Sequence, residues 1–129
     1  MKYDGKATVR RFSDLRAWQR AHELVLLVYR VTHMYPKEEL FGLTSQSRRA
    51  AVSISSNIAE GFGRATKKDK VNFYSMSRTS AAELENQIAI ARDLSYIPKE
   101  EHDKIFLLTE EVISLIVGLE RSAVDKFSR

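Results

Sequence analysis

Metal ligation and acid–base chemistry both require side chains that converge. His22, His33 and His102 fall in separate stretches, and none stands three or four residues from another. A metal needs ligands brought to one point, so each histidine reads as a partly buried hydrogen-bonder. Ser53, Ser55 and Ser56 cluster tightly. A serine nucleophile needs a base and an oxyanion site, and no nucleophile-elbow turn surrounds these serines, which read instead as small residues for helix packing. Glu83 and Glu85 are two residues apart and diverge on a helix. Helical bundles can hold a carboxylate-bridged metal pair through Glu-x-x-His motifs, and the sequence has no such motif. Neither glycine-rich phosphate-binding pattern occurs. With no cysteine, disulfides, thiolate nucleophiles and zinc–cysteine sites are excluded. The expectation is a chain with no catalytic site, no cofactor and no metal.

The basic residues say more. Arg10 and Arg11 precede the first periodic segment, and Arg16 and Arg20 stand one turn apart on it. Arg48 and Arg49 are adjacent on the second segment; Arg64, Lys67, Lys68 and Lys70 crowd the turn that follows; Arg78 lies on the third. Acids gather elsewhere, at Glu100 to Asp103 and at Glu110 and Glu111. The formal charge of +4 therefore understates the local asymmetry. Arginine and lysine on a rigid helical surface suit phosphate contacts whose affinity falls with salt. These basic residues are the candidate contacts to RNA or DNA. The alternatives are a solvated face, salt bridges to nearby glutamates, or, for Arg48 and Arg49, a subunit interface.

The segments that must position them are punctuated by Pro36, Pro98, Gly42, Gly61 and Gly63. The pattern predicts one all-α domain over residues 1–129: a basic arm at 1–11, then helices at about 14–34, 44–61, 68–95 and 99–123. In the first, Leu15, Trp18, His22, Val25, Tyr29 and Thr32 repeat at helical steps, with Leu24, Leu27, Val28 and Val31 widening that face. In the second, Leu43, Ser47, Ala50, Ile54 and Ile58 share a face, and Gly61 suits a C-cap. In the third, Tyr74, Ser77, Ala81, Leu84, Ile88, Ala91 and Ser95 alternate three and four apart. In the fourth, Ile105, Leu108, Val112, Leu115, Leu119 and Ser122 make one face, and Phe106, Ile113, Ile116 and Val117 a second. Nothing alternates with period two. Four amphipathic helices with short links pack most simply as an antiparallel up-down bundle.

At 129 residues the chain is long enough for one substantial core. No apolar run approaches the length that spans a bilayer, and Met1 to Arg11 lacks the apolar stretch of a secretory signal. A cytoplasmic protein with no membrane partner is expected. The apolar faces of the first and fourth segments exceed what a monomeric bundle needs, so a homo-oligomer is expected to cover the surplus.

Phe12-Ser-Asp-Leu-Arg-Ala-Trp-Gln19, Gln46-Ser-Arg-Arg-Ala-Ala-Val-Ser-Ile54, Asn57-Ile-Ala-Glu-Gly61, Ala82-Glu-Leu-Glu85 and Ala91-Arg-Asp-Leu-Ser-Tyr-Ile97 resemble the signature blocks of the 23S rRNA-intervening-sequence four-helix-bundle proteins. The resemblance runs from about Phe12 to Leu119. It implies a ring-like homopentamer without enzymatic activity. The family is related to the accessory variability protein of diversity-generating retroelements, a basic pentamer that holds a reverse transcriptase and its template RNA. That relation implies an RNA and a reverse transcriptase as partners.

Overall fold

Asp14 closes a short turn ahead of the first long helix. Its carboxylate accepts hydrogen bonds from the backbone N–H groups of Arg10 and Arg11, at 2.9 and 3.0 Å. These bonds hold its pKa below the usual carboxylate range. The turn it closes, Phe12–Asp14, is a short 3-10 helix, and the first α-helix, α1, follows at Arg16–Thr32. The remaining helices are α2 at Leu43–Gly63, α3 at Lys67–Asp93 and α4 at Lys99–Ser128. The computed structural model describes residues 8–128, with side chains as far as Val124; residues 1–7 of the expected basic arm lie outside them. No strand occurs among the described residues.

The four helices share one core. Leu24 and Val28 from α1, Ile54 and Ile58 from α2, Leu84 and Ile88 from α3, and Ile105, Val112 and Ile116 from α4 are completely buried. Each such side chain contributes about 1.5–3 kcal/mol relative to exposure. α1 packs on α2 and α4, and α3 packs on α2 and α4. The 3-10 turn at Lys37–Glu39 carries the chain from α1 to α2. There Glu39 accepts from the Leu43 N–H at 2.9 Å and from Tyr96 Oη at 2.8 Å, tying the α1–α2 connection to the α3–α4 connection.

The seam between α2 and α3 is built from small residues. Ala50, Ala51, Ser77 and Ala81 are buried. Ser77 Oγ donates to the Ile54 carbonyl at 2.7 Å, and Ser53 and Ser80 hydroxyls meet at 2.8 Å. Gly61 belongs to this seam and does not cap the helix: α2 continues to Gly63. A Cβ on Gly61 would lie 2.6 Å from Tyr74 Cε1. Glycine is there for close approach of two helices, and the C-cap is Arg64 in an extended conformation.

Two faces are rotated from expectation. The buried line of α1 is Ala17, Ala21, Leu24, Val28 and Val31, while His22 and Tyr29 are exposed. The buried line of α4 is His102, Ile105, Thr109, Val112 and Ile116, with Leu108, Leu115 and Leu119 only half-buried at its flank. Thr109 is tolerated because its hydroxyl donates to the Ile105 carbonyl at 2.7 Å. α4 also runs past the expected end at 123. α3 stops at Asp93 rather than Ser95, because Ser95 takes a left-handed φ of 64°. The Tyr96 N–H then reaches the Ala91 carbonyl at 2.8 Å and the Ser95 N–H the Arg92 carbonyl at 2.9 Å, the bonding of a Schellman terminus.

Gly61→Ala should destabilise the fold by about 1–3 kcal/mol through overpacking, read as a lower urea midpoint at unchanged slope. Ser95→Gly should raise that midpoint, by up to about 1 kcal/mol, because glycine relieves the left-handed strain.

Candidate nucleic-acid interface

All but one of the sequence-predicted basic residues fall into two groups. Several are held by partners within the chain. Arg20 makes a bidentate pair with Glu111, both bonds 2.9 Å, and also reaches Glu23. Arg16 reaches the same Glu111 at 3.4 Å. Hydrogen bonding from Arg20 holds the Glu111 carboxyl below its ordinary range. Arg78 grips Glu120 from α3 to α4 at 2.6 and 2.9 Å. Arg48 donates to Thr32 Oγ1 at 2.9 Å and to the Tyr29 carbonyl at 3.4 Å, with its guanidinium over the Tyr29 ring. It therefore serves the C-terminal turn of α1. Glu60 pairs with Arg64 on its own helix end, at 2.9 Å, and with neither Arg48 nor Arg49.

The second group gathers at one end of the molecule. Val9 and Leu15 line a largely apolar cavity of about 330 Å³ together with Phe62, Lys70, Tyr74 and Leu119. This places Arg10 and Arg11, which are exposed, beside the α2–α3 connection. Lys70 donates to the Phe62 and Gly61 carbonyls at 2.8 and 3.3 Å, covering the orphaned acceptors at the end of α2. Arg64 lies over the Phe73 ring. Lys67 and Lys68 are exposed, and neither makes an ion pair with a described residue. Both occupy the first turn of α3, where Thr66 Oγ1 caps the Asp69 N–H at 3.1 Å. Cations at the positive end of a helix dipole cost about 0.3–1 kcal/mol, and a bound anion would relieve that cost.

Arg49 belongs to neither group. It is exposed on α2 without an ion pair and lines an open polar cleft of about 360 Å³ between α2 and α3, with Gln46, Ser53, Glu83, Asn86 and Gln87. Sequence reasoning did not find this cleft, whose residues come from two helices and carry no motif. It also did not find the contact of Glu85 with Glu110. Glu83 and Glu85 do diverge: Glu83 faces the cleft and Glu85 turns toward α4. Burial first, and then the neighbouring Glu110 carboxyl, push Glu85 up to about 7. Glu85 Oε2 is buried without a donor, since two ionised carboxylates cannot hydrogen-bond until one takes a proton.

Of the histidines, His22 stacks on Trp18 and stays exposed. His102 is buried, with Nδ1 2.9 Å from Asp103 and Nε2 3.3 Å from Arg92. No group of His, Cys, Asp or Glu suited to a metal ion occurs among the described residues, and none of their helices is long and apolar enough to cross a membrane.

Four long helices around one core, with cations collected at one end, define a small all-helical protein of the four-helix type. The chain belongs to the 23S rRNA-intervening sequence protein family, whose pattern matches residues 13–118. Among solved structures it is similar to a protein of unknown function from the S23 ribosomal protein family of Bacteroides thetaiotaomicron VPI-5482. The two are 20% identical, with a TM-score of 0.74, over 81% of this chain and 95% of that one. That likeness establishes the shared fold. No protein of curated function matches the sequence.

Glu85→Gln should stabilise the fold at pH 8 and have no effect at pH 4. The glutamate's folded pKa is raised from 4.5 to about 7, so its ionisation cost is absent below pH 4.5, grows as pH rises toward 7, and stays constant above. Thermal melts of both proteins across that range check the sign, with a gain at pH 8 of roughly 1 kcal/mol.

Proposed function

We propose that this protein is a non-catalytic, nucleic-acid-binding oligomer, with RNA or DNA held at its basic end. The observation that carries the reading is the collection of Arg10, Arg11, Arg64, Lys67, Lys68 and Lys70 around one end, with Lys67 and Lys68 unpaired at a helix N-terminus. Paired arginines elsewhere reduce the candidate contacts: Arg16, Arg20, Arg48 and Arg78 support the bundle, and the basic end meets the phosphates.

The bundle itself is an antiparallel up-down arrangement. Support comes from the α2–α3 contacts, where partners of Ser53 and Gly61 are Ser80 and Tyr74, so that one index rises as the other falls. Large apolar residues on several sides, Phe41 at 93%, Leu107 at 68% and Leu26 at 52% exposure, favour self-assembly. A ring of five, with a mass five times 14.8 kDa, is the form the family resemblance implies. The most specific version is a cytoplasmic accessory that holds a template RNA for a reverse transcriptase, and it rests on that resemblance alone. A reverse-transcriptase gene and a template repeat beside this gene would support it.

Fluorescence anisotropy with a structured RNA tests the reading. Affinity should fall steeply as salt rises from 50 to 500 mM, as expected when several phosphates are neutralised. Lys67→Glu with Lys68→Glu should weaken binding at low salt by about tenfold or more while leaving native mass unchanged. RNA binding that ignores salt and these substitutions, or no binding at all, contradicts it.

A further inference from the structure

We propose that the nucleic acid held at the basic end is an unpaired strand, one of whose bases stacks on the ring of His22. The inference rests on the nucleic-acid reading above and specifies the form of the ligand.

Three rings meet at the start of α1. Phe12 touches Trp18 edge-on, with centroids 5.3 Å apart and planes at 67°. Trp18 and His22 lie one helical turn apart and stack, with centroids 4.8 Å apart and planes within 15°. Trp18 is half-buried and packs on the core, so the foot of the stack is fixed. His22 is exposed and makes no hydrogen bond or ion pair among the described residues. One face of its imidazole therefore rests on the indole, and the other faces water. A ring held flat on a packed neighbour has already lost most of its side-chain freedom, so a base that stacks on it loses little more.

The stack belongs to the basic end. Phe12 directly follows Arg10 and Arg11, whose backbone N–H groups are tied to Asp14. Gln19 donates to the Ser13 carbonyl at 3.0 Å, which fastens this turn to α1. Leu15 shares a cavity with Phe62 and Lys70, so the start of α1 lies beside the connection that carries Arg64, Lys67 and Lys68. Arg16 and Arg20 do not cover the rings: they turn to Glu111 of α4, whereas the line of Trp18 and His22 continues to Tyr29, which meets Arg48 of α2. Phe62 and Phe73, at the same end, are half-buried under Lys70 and Arg64. An open ring beside exposed cations discriminates among nucleic acids. A duplex offers phosphates but keeps its bases within its own stack. An unpaired strand offers phosphates and free π faces together, and a basic surface with aromatic side chains is what holds such strands. Every base has a π face, so this contact carries little sequence preference.

Trp18 is the only tryptophan of the chain, so its emission reports on the stack. Oligouridylate and oligothymidylate of about 12 nucleotides are the RNA and DNA probes, and quenching by either one satisfies the proposal. An abasic strand of the same length should bind about fivefold or more weakly and leave the emission unchanged. His22→Leu keeps the indole covered but removes the ring. It should lower affinity for the unpaired strand by about fivefold or more and leave affinity for a duplex of the same length unchanged. His22→Phe, as uncharged as His22→Leu, should keep wild-type affinity. Both substitutions lie at an exposed position and should leave the melting temperature and native mass unchanged. Unchanged emission with the unpaired strand, equal affinity for the unpaired, abasic and duplex forms, or His22→Leu matching His22→Phe overturns the stacking while the basic-end reading stands. No binding of any strand overturns both.

Discussion

The close approach of α2 and α3 governs the rest of the molecule. Gly61 lies where a single methyl group would collide with Tyr74, and the serine and alanine pairs along the seam replace side-chain volume with short hydrogen bonds. Interiors pack like crystals, so a seam this tight tolerates little displacement. It sets where α3 stands, and α3 in turn sets α4 through Arg78–Glu120 and the buried line of Leu84 and Ile88. Small residues inside the seam also leave little bulk at its outer edge. The open cleft containing Arg49 and Glu83 is the outer edge of the same contact.

Charge is arranged around this frame according to helix ends. Arg48 and Lys70 spend their charge on the last carbonyls of α1 and α2, the favourable place for cations. Lys67 and Lys68 do the opposite and sit where the dipole repels them. A chain that pairs Arg16, Arg20 and Arg78 internally but leaves two lysines against a helix N-terminus has surface charge beyond what its own stability uses. The contact of Glu85 with Glu110 is likewise unfavourable at neutral pH; it joins α3 to α4, with Glu85 half-buried and Glu110 exposed.

Much of the fold was legible in the sequence, and the failures have physical causes. Every residue expected on the inward faces of α2 and α3 up to Ala91 is buried, because small and large apolar residues there alternate with polar ones; Thr44, Ala51 and Ser80 join them, while Ser56, expected to pack, is exposed. α1 was rotated because Leu24 to Val28 are apolar at every step, so period cannot select a face; Ala17 and Ala21, which do the packing, carry little hydrophobic signal. α4 was rotated because its core line includes His102 and Thr109, whose polarity is absorbed by local hydrogen bonds, while Leu107 faces water. Gly61 was misread because a helix end and a close approach both call for glycine. Of the candidate contacts, the turn from Arg64 to Lys70 was legible as a local cluster. That Arg16, Arg20 and Arg78 are consumed by Glu111 and Glu120 was not, because those partners lie some forty or more residues away in sequence. The cleft needs two helices brought together before it exists.

The proposed function uses two separate surfaces, helix faces for self-assembly and one basic end for nucleic acid. Hydroxyl-radical footprinting of the assembled protein, with and without a structured RNA at low salt, tests that division most directly. Phe41 and Leu107 should be shielded by assembly and unchanged by RNA, while Phe62 and Phe73, the aromatic rings beneath Lys70 and Arg64, should gain protection only when RNA is added. Protection of Phe41 or Leu107 by RNA, with Phe62 and Phe73 unaffected, would contradict it.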